Sequence, residues 1–153
     1  MKRRPLKLET LDAAIAEIDR LHAAGYERVA QWDLARTCDH LTVMMRMSLD
    51  GFPPELRFSW PARTFLAPFV RWSIIGIGWM PPRIPVPHVS MDPREPRAEQ
   101  TAVSHCVATL REVRDRDEPF YASPLLGRLS PDQWRRFHLV HAQHHLTFLL
   151  PRG

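Results

Sequence analysis

Apolar residues recur every three or four positions along four stretches of this 153-residue chain, and nowhere do they alternate in twos long enough to build a sheet. The first stretch, about Leu8 to Ala24, lines up Leu8, Leu11, Ile15, Ile18 and Leu21 and stops at Gly25. The second follows Asp33, a natural N-cap, and runs to Asp50, where Gly51, Pro53 and Pro54 end it. The third spans about Arg97 to Asp115, with Val103, Val107 and Leu110 turned inward. The fourth opens on Ser130-Pro131-Asp132-Gln133, which supplies an N-cap, a proline at the first helical position and a capping-box glutamine. It ends before Pro151.

Residues 51–96 separate the second and third stretches and are rich in Pro and Trp. A connection that long with no structure of its own is unusual in a compact domain. A short helix near Ala62 to Ile75 is expected there, followed by an extended segment, MPPRIPVPHVSMDPREP. The pattern therefore predicts an all-α fold over a single domain, residues 1–153: a four-helix bundle with a long crossover between helices two and three. Such a crossover lets those two helices run parallel.

Composition narrows the partners. Hydrophobic residues make up 44% and charged residues 25%, as in ordinary soluble proteins. The net charge of +4 comes mainly from scattered arginines, and the one dense basic cluster is Lys2, Arg3, Arg4. Basic patches rather than totals carry phosphate affinity, so no nucleic-acid partner is expected. Cys38 and Cys106 match no paired metal or redox spacing and read as small buried hydrophobes. The start MKRRPLKLET lacks the apolar centre of a secretory signal. The longest apolar run, Phe65 to Met80, is interrupted by Pro68 and Arg71 and is short for a bilayer. A cytoplasmic location is the resulting expectation.

Chemistry concentrates in HLVHAQHHLTF, residues 138–148, which holds four of the eight histidines. On a helix His145 lies about 40° from His141, His138 about 60° away, and His144 about 60° to the other side. Trp134 and Phe148 fall within the same arc, and an arc with two large aromatics in its midst is not a solvent face. His141 and His145, four apart, can share one divalent ion at metal–nitrogen distances of roughly 2.0–2.1 Å. Alone, H-x-x-x-H also describes a hydrogen-bonded core pair. His40 is the best candidate for a third ligand, because its helical arc carries Thr37, Val43, Met44 and Met47. A buried imidazole there needs either hydrogen-bond partners or a metal, with Asp39 or Asp50 available to orient it.

The stretches WDLARTCDHLT…SLDGFP and LLGRLSPDQWRRFHLVHAQHHLTF resemble the DinB-like superfamily of four-helix metalloproteins and, within it, the DUF1569 branch. H-x-x-H-H at 141, 144 and 145 is the most specific element of that resemblance. It implies a metal held by His40, His141 and His145 with water at the open positions, the ion being nickel, zinc or a similar divalent cation. It also implies a metal-dependent activity such as transfer or isomerisation through a low-molecular-weight thiol, although some members have no known activity. The chain departs from the branch at Ser123-Pro124-Leu125-Leu126-Gly127, where a His-Pro-Phe-Phe-Gly-like stretch is expected, so no role is carried to Ser123.

A neutral three-histidine site leaves a divalent ion its full charge, which suits thiol transfer or hydrolysis. His138 and His144 then read as packed or exposed neighbours, and Glu112 and Glu118 as solvated. No catalytic residue is assigned. The other reading is a non-catalytic binding or scaffold bundle, with residues 58–80 as a membrane- or partner-docking segment. Trp60, Trp72 and Trp79 with Arg63 and Arg71 give that segment an interfacial look. The favoured expectation is that it caps the bundle or buries in a homodimer, with no membrane contact. Candidate partners are thus a low-molecular-weight thiol or other small molecule, and a second copy of the chain.

Overall fold

The computed structural model describes residues 3–82, 91–93, 95 and 97–152, and it is mostly helical. The long helices are α1 (Leu11–Ala24), α2 (Leu34–Asp50), α4 (Glu99–Asp115) and α5 (Pro131–Leu146). Their starts obey local chemistry. Thr10 accepts the Ala13 N–H at 3.1 Å, and Asp33 accepts that of Arg36 at 2.8 Å. Ser130 and Gln133 form the expected reciprocal capping box.

The helix directions follow from which residues meet. Cys38 faces Cys106 and, further along both helices, Arg46 pairs with Glu112, so α2 and α4 run parallel. His22 meets Glu99 while Asp12 meets Arg114, so α1 opposes α4. His40 lies beside His141 and Ser48 beside His138, so α5 opposes α2. Buried side chains of all four, among them Ile18, Leu41, Leu110 and Leu146, form one continuous apolar cluster. Cys38 and Cys106 are free thiols inside it.

The structure amends the expected boundaries in two places. Leu8 belongs to the expected apolar stripe and is buried, yet it precedes the Thr10 cap and is not helical. It lies on an arm whose backbone N–H donates to Gln143 Oε1 at 2.8 Å, while Arg4 pairs with the buried Glu17 and donates to Leu146 O. Periodicity there reported burial, and the cap decided the helix. The second amendment is a two-stranded antiparallel ribbon, β1 (Tyr26–Arg28) against β2 (Leu149–Pro151). Three residues a strand are too few to write an alternating pattern.

The middle helix forms near its expected place but is not a plain α-helix. A π-helical turn, Ala62–Leu66, leads into α3 (Ala67–Arg71) and then a second π-helical stretch, Trp72–Ile77. Pro68 has no N–H for the carbonyl four residues back, so a regular ladder cannot pass through it. The wider turns on either side absorb the break: the Ala67 N–H reaches Ala62 O, five residues back. Its inner side packs on α5 through Ile74, Met80 and Val140. On its outer side Trp60, Phe65, Phe69, Trp72, Ile77 and Trp79 are exposed. Most of the extended segment expected after it lies outside the described residues.

Candidate metal centre

Two helices bring the three histidines together. Near the middle of α2, His40 points across the seam at α5, where one helical turn separates His141 from His145. His40 Nε2 and His145 Nε2 each lie 3.1 Å from His141 Nε2. The three candidate ligand atoms all lie within 4.8 Å of one another. Metal–nitrogen bonds of roughly 2.0–2.1 Å place neighbouring ligand nitrogens about 2.9 Å apart at a right angle and about 3.4 Å at the tetrahedral angle. The two measured separations fall between those values.

The tautomer of His40 is set from outside the seam. Its Nδ1–H donates to Met91 O at 2.5 Å, which leaves the Nε2 lone pair facing the other two rings. Asp92, the next residue, is paired with Arg36 at 2.6 Å, and the Arg36 guanidinium sits 4.9 Å from the centre of the Trp32 ring. Trp32 in turn stacks on His145 at 5.3 Å and meets His40 edge-on at 5.0 Å. One aromatic thus braces two of the three rings. Asp39 and Asp50 do not orient the centre: Asp39 accepts the Arg97 N–H at the entry to α4, and Asp50 pairs with Arg46 on the surface.

Burial keeps these rings neutral. His40 is lowered by desolvation, partly opposed by the Met91 carbonyl. His141 is lowered further by burial and then by the neighbouring imidazoles, and His145 likewise. Three neutral rings aimed at one point pose a problem that protons do not solve. A single N–H between two nitrogens leaves the third facing a lone pair, whereas one divalent cation accepts all three. The donor set therefore fits a metal. His141 Nδ1 is buried and has no hydrogen-bond partner among the described residues.

The other two histidines of the run part company with the cluster. His138 Nε2 lies 2.8 Å from Ser48 Oγ, whose own hydrogen goes to Met45 O at 2.7 Å, so His138 is the donor. Stacked on Trp134 and lowered to about 3 by burial, it is a packed core residue. His144, lowered to about 4 by burial, lines a cavity of about 640 Å³ that also reaches His40, His141 and His145. Phe52, Phe69, Met80 and Phe137 are typical of its remaining walls, and none of the described residues that line it is Asp, Glu, Lys or Arg. Ser123 stands at its rim in a tight turn, its Oγ accepting the Leu126 N–H at 3.0 Å.

Sequence reasoning missed Met91 and Trp32, the two groups that hold the rings in place. A tryptophan immediately before the α2 cap was a visible signal; a backbone carbonyl 51 positions away left none. No helix among the described residues is long and apolar enough to cross a membrane. Comparison with curated proteins and with solved structures gives no match. A family model described as a protein of unknown function (DUF1569) matches residues 1–152, and the chain belongs to that family.

Proposed function

We propose that this DUF1569 protein binds a divalent metal ion through His40, His141 and His145, on a DinB-like four-helix bundle. The observation that carries the reading is the convergence of three neutral Nε2 atoms, one of them held in its ligand tautomer by Met91 O. Imidazole ligands without thiolate or carboxylate suit zinc, nickel, copper or iron, and within that set the DinB-like resemblance points to nickel or zinc. Three protein ligands beside a cavity suit a catalytic site, since structural zinc sites are closed by four.

Bound there, the ion would supply Lewis acidity, lowering the pKa of a water to around 7 or holding a thiol as thiolate. The chain's own residues do the rest. Trp32 and Met91 fix the ring orientations, and the uncharged walls exclude water and select an apolar substrate body. The reading is a metal-dependent thiol transferase or hydrolase acting on a small, largely apolar molecule.

Elemental analysis of tag-free protein, beside a His145→Ala variant, tests the site. Near-stoichiometric metal in the parent and an affinity at least about 100-fold weaker in the variant are expected, since loss even of an outer-shell partner costs 10–100-fold. Metal absent from both after metal-replete growth overturns it. Turnover of apolar electrophiles with low-molecular-weight thiols, lost in the variant, separates an enzyme from a binding bundle.

A further inference from the structure

The 62–77 helix presents an unusual surface. Seven of the eight large apolar side chains exposed among the described residues belong to residues 60–79, with Phe65 71%, Trp60 69% and Trp72 58% exposed. Contiguous exposed apolar surface on this scale marks an interaction face. The charge pattern of the same region is one-sided. No aspartate or glutamate occurs between Leu56 and Met91, in a chain that has 17, while four arginines do. Two of these, Arg63 and Arg71, line a groove of about 540 Å³ together with Trp60 and the 123–127 turn. Neither pairs with a carboxylate among the described residues.

We propose that the outer face of this helix docks on an anionic phospholipid surface, with Trp60, Phe65, Phe69 and Trp72 entering the headgroup–acyl boundary and Arg63 and Arg71 taking lipid phosphate. The chemistry is that of an interfacial helix: aromatic side chains on the buried side, arginines beside them, and no acidic residue to repel the lipid. A second copy of the chain is a poorer occupant. A two-fold contact sets a patch against a second copy of itself, so its arginines would be buried with no carboxylate from this region to pair with. Nucleic acid is poorer too, because the face is mostly apolar and affinity for phosphate backbones grows with the number of basic contacts. Leu66 and Phe69 are exposed and also line the apolar cavity, so docking places the cavity's edge against lipid and favours lipophilic ligands. The proposal is independent of the metal.

Flotation of the full chain with vesicles of phosphatidylglycerol and phosphatidylcholine, against pure phosphatidylcholine, tests it, with tryptophan emission as the second readout. Binding confined to the anionic vesicles and a blue shift of the emission are expected. At about 1 kcal/mol for each basic residue near the surface, Arg63→Gln with Arg71→Gln should weaken binding roughly 30-fold. Phe65→Ser with Trp72→Ser, both on exposed side chains, should abolish the blue shift while the circular dichroism spectrum stays that of the parent. Absence of binding to anionic vesicles, or binding indifferent to lipid charge, overturns the proposal. So does sedimentation equilibrium showing a dimer that the Phe65→Ser, Trp72→Ser variant dissociates.

Discussion

The α2–α5 seam and the 62–77 helix are both rich in aromatic side chains, yet they put them to opposite use. Trp134 on α5 is 2% exposed, packed among Phe52, Phe120, Phe137 and His138. Trp72 on the middle helix is 58% exposed. Residue type does not explain the contrast. An amphipathic helix of 16 residues, α5, has long partners on more than one side. Among the described residues the middle helix, interrupted at Pro68, packs on the long helices along one side, and its outer aromatics stay exposed. Hydrophobicity states a demand for burial, and the number of neighbouring elements decides whether it is met.

Substitutions at the two tryptophans are the sharpest way to break this contrast. Trp134→Ala should destabilise the chain by about 3–5 kcal/mol in urea unfolding, as large-to-small changes in a packed core do. A loss under about 1 kcal/mol would mean that the seam is loosely packed.

The seam should also be acid-sensitive, because its imidazoles are buried uncharged. Burial puts the folded pKa of His138 at about 3, while an unfolded histidine titrates near 6.5. Between those values the unfolded chain binds more protons, so stability is full above about pH 6.5 and falls as pH drops toward 3. The slope is about 1.4 kcal/mol per pH unit for each such histidine, and His141 and His145 shift in the same direction. His22, raised by its hydrogen bond to Glu99, works the other way, but that pair is too solvent-screened to offset the seam. Urea midpoints in chelator at pH 7.5, 6 and 5 check the sign; a flat profile contradicts neutral burial.

A smaller effect should come from the brace behind the centre. Arg36→Gln removes the partner of Asp92 and loosens the strap carrying Met91 O, the acceptor that orients His40. Metal affinity should fall about 10-fold, the lower end for outer-shell partners, with the urea midpoint almost unchanged; titration calorimetry reads it. Unchanged affinity would assign the orientation of His40 to packing by Trp32 alone. The smallest effect belongs to the other side of the contrast. Trp72→Ser should alter stability by no more than about 0.5 kcal/mol, as surface substitutions do. A larger loss would show that the middle helix is buried in solution.

Much of the fold could be read from the amino acids, because its signals are local. The caps at Asp33 and Ser130, the stops at Gly25 and Gly51 and the stripe Leu11, Ile15, Ile18, Leu21 each act within a few residues and survive in any context. The spacing of His141 and His145 is local as well, since a helix fixes the distance between positions four apart. His40 stood out for a local reason too: an imidazole on an apolar face needs a partner.

Everything that depends on approach between distant segments was settled by packing instead. That His40 Nε2 comes within 3.1 Å of His141 Nε2 joins residues 101 apart, and its orientation hangs on a main-chain carbonyl that carries no residue signature. The β1–β2 ribbon pairs the segment after α1 with the one after α5, in runs too short to pattern. Phe65 and Trp72 are exposed because no second element among the described residues packs on their side, which composition cannot report. Periodicity and capping are properties of a few consecutive residues and can be read one segment at a time. Convergence, tautomer and exposure are set by the packing of whole elements, and they exist only once the chain has folded.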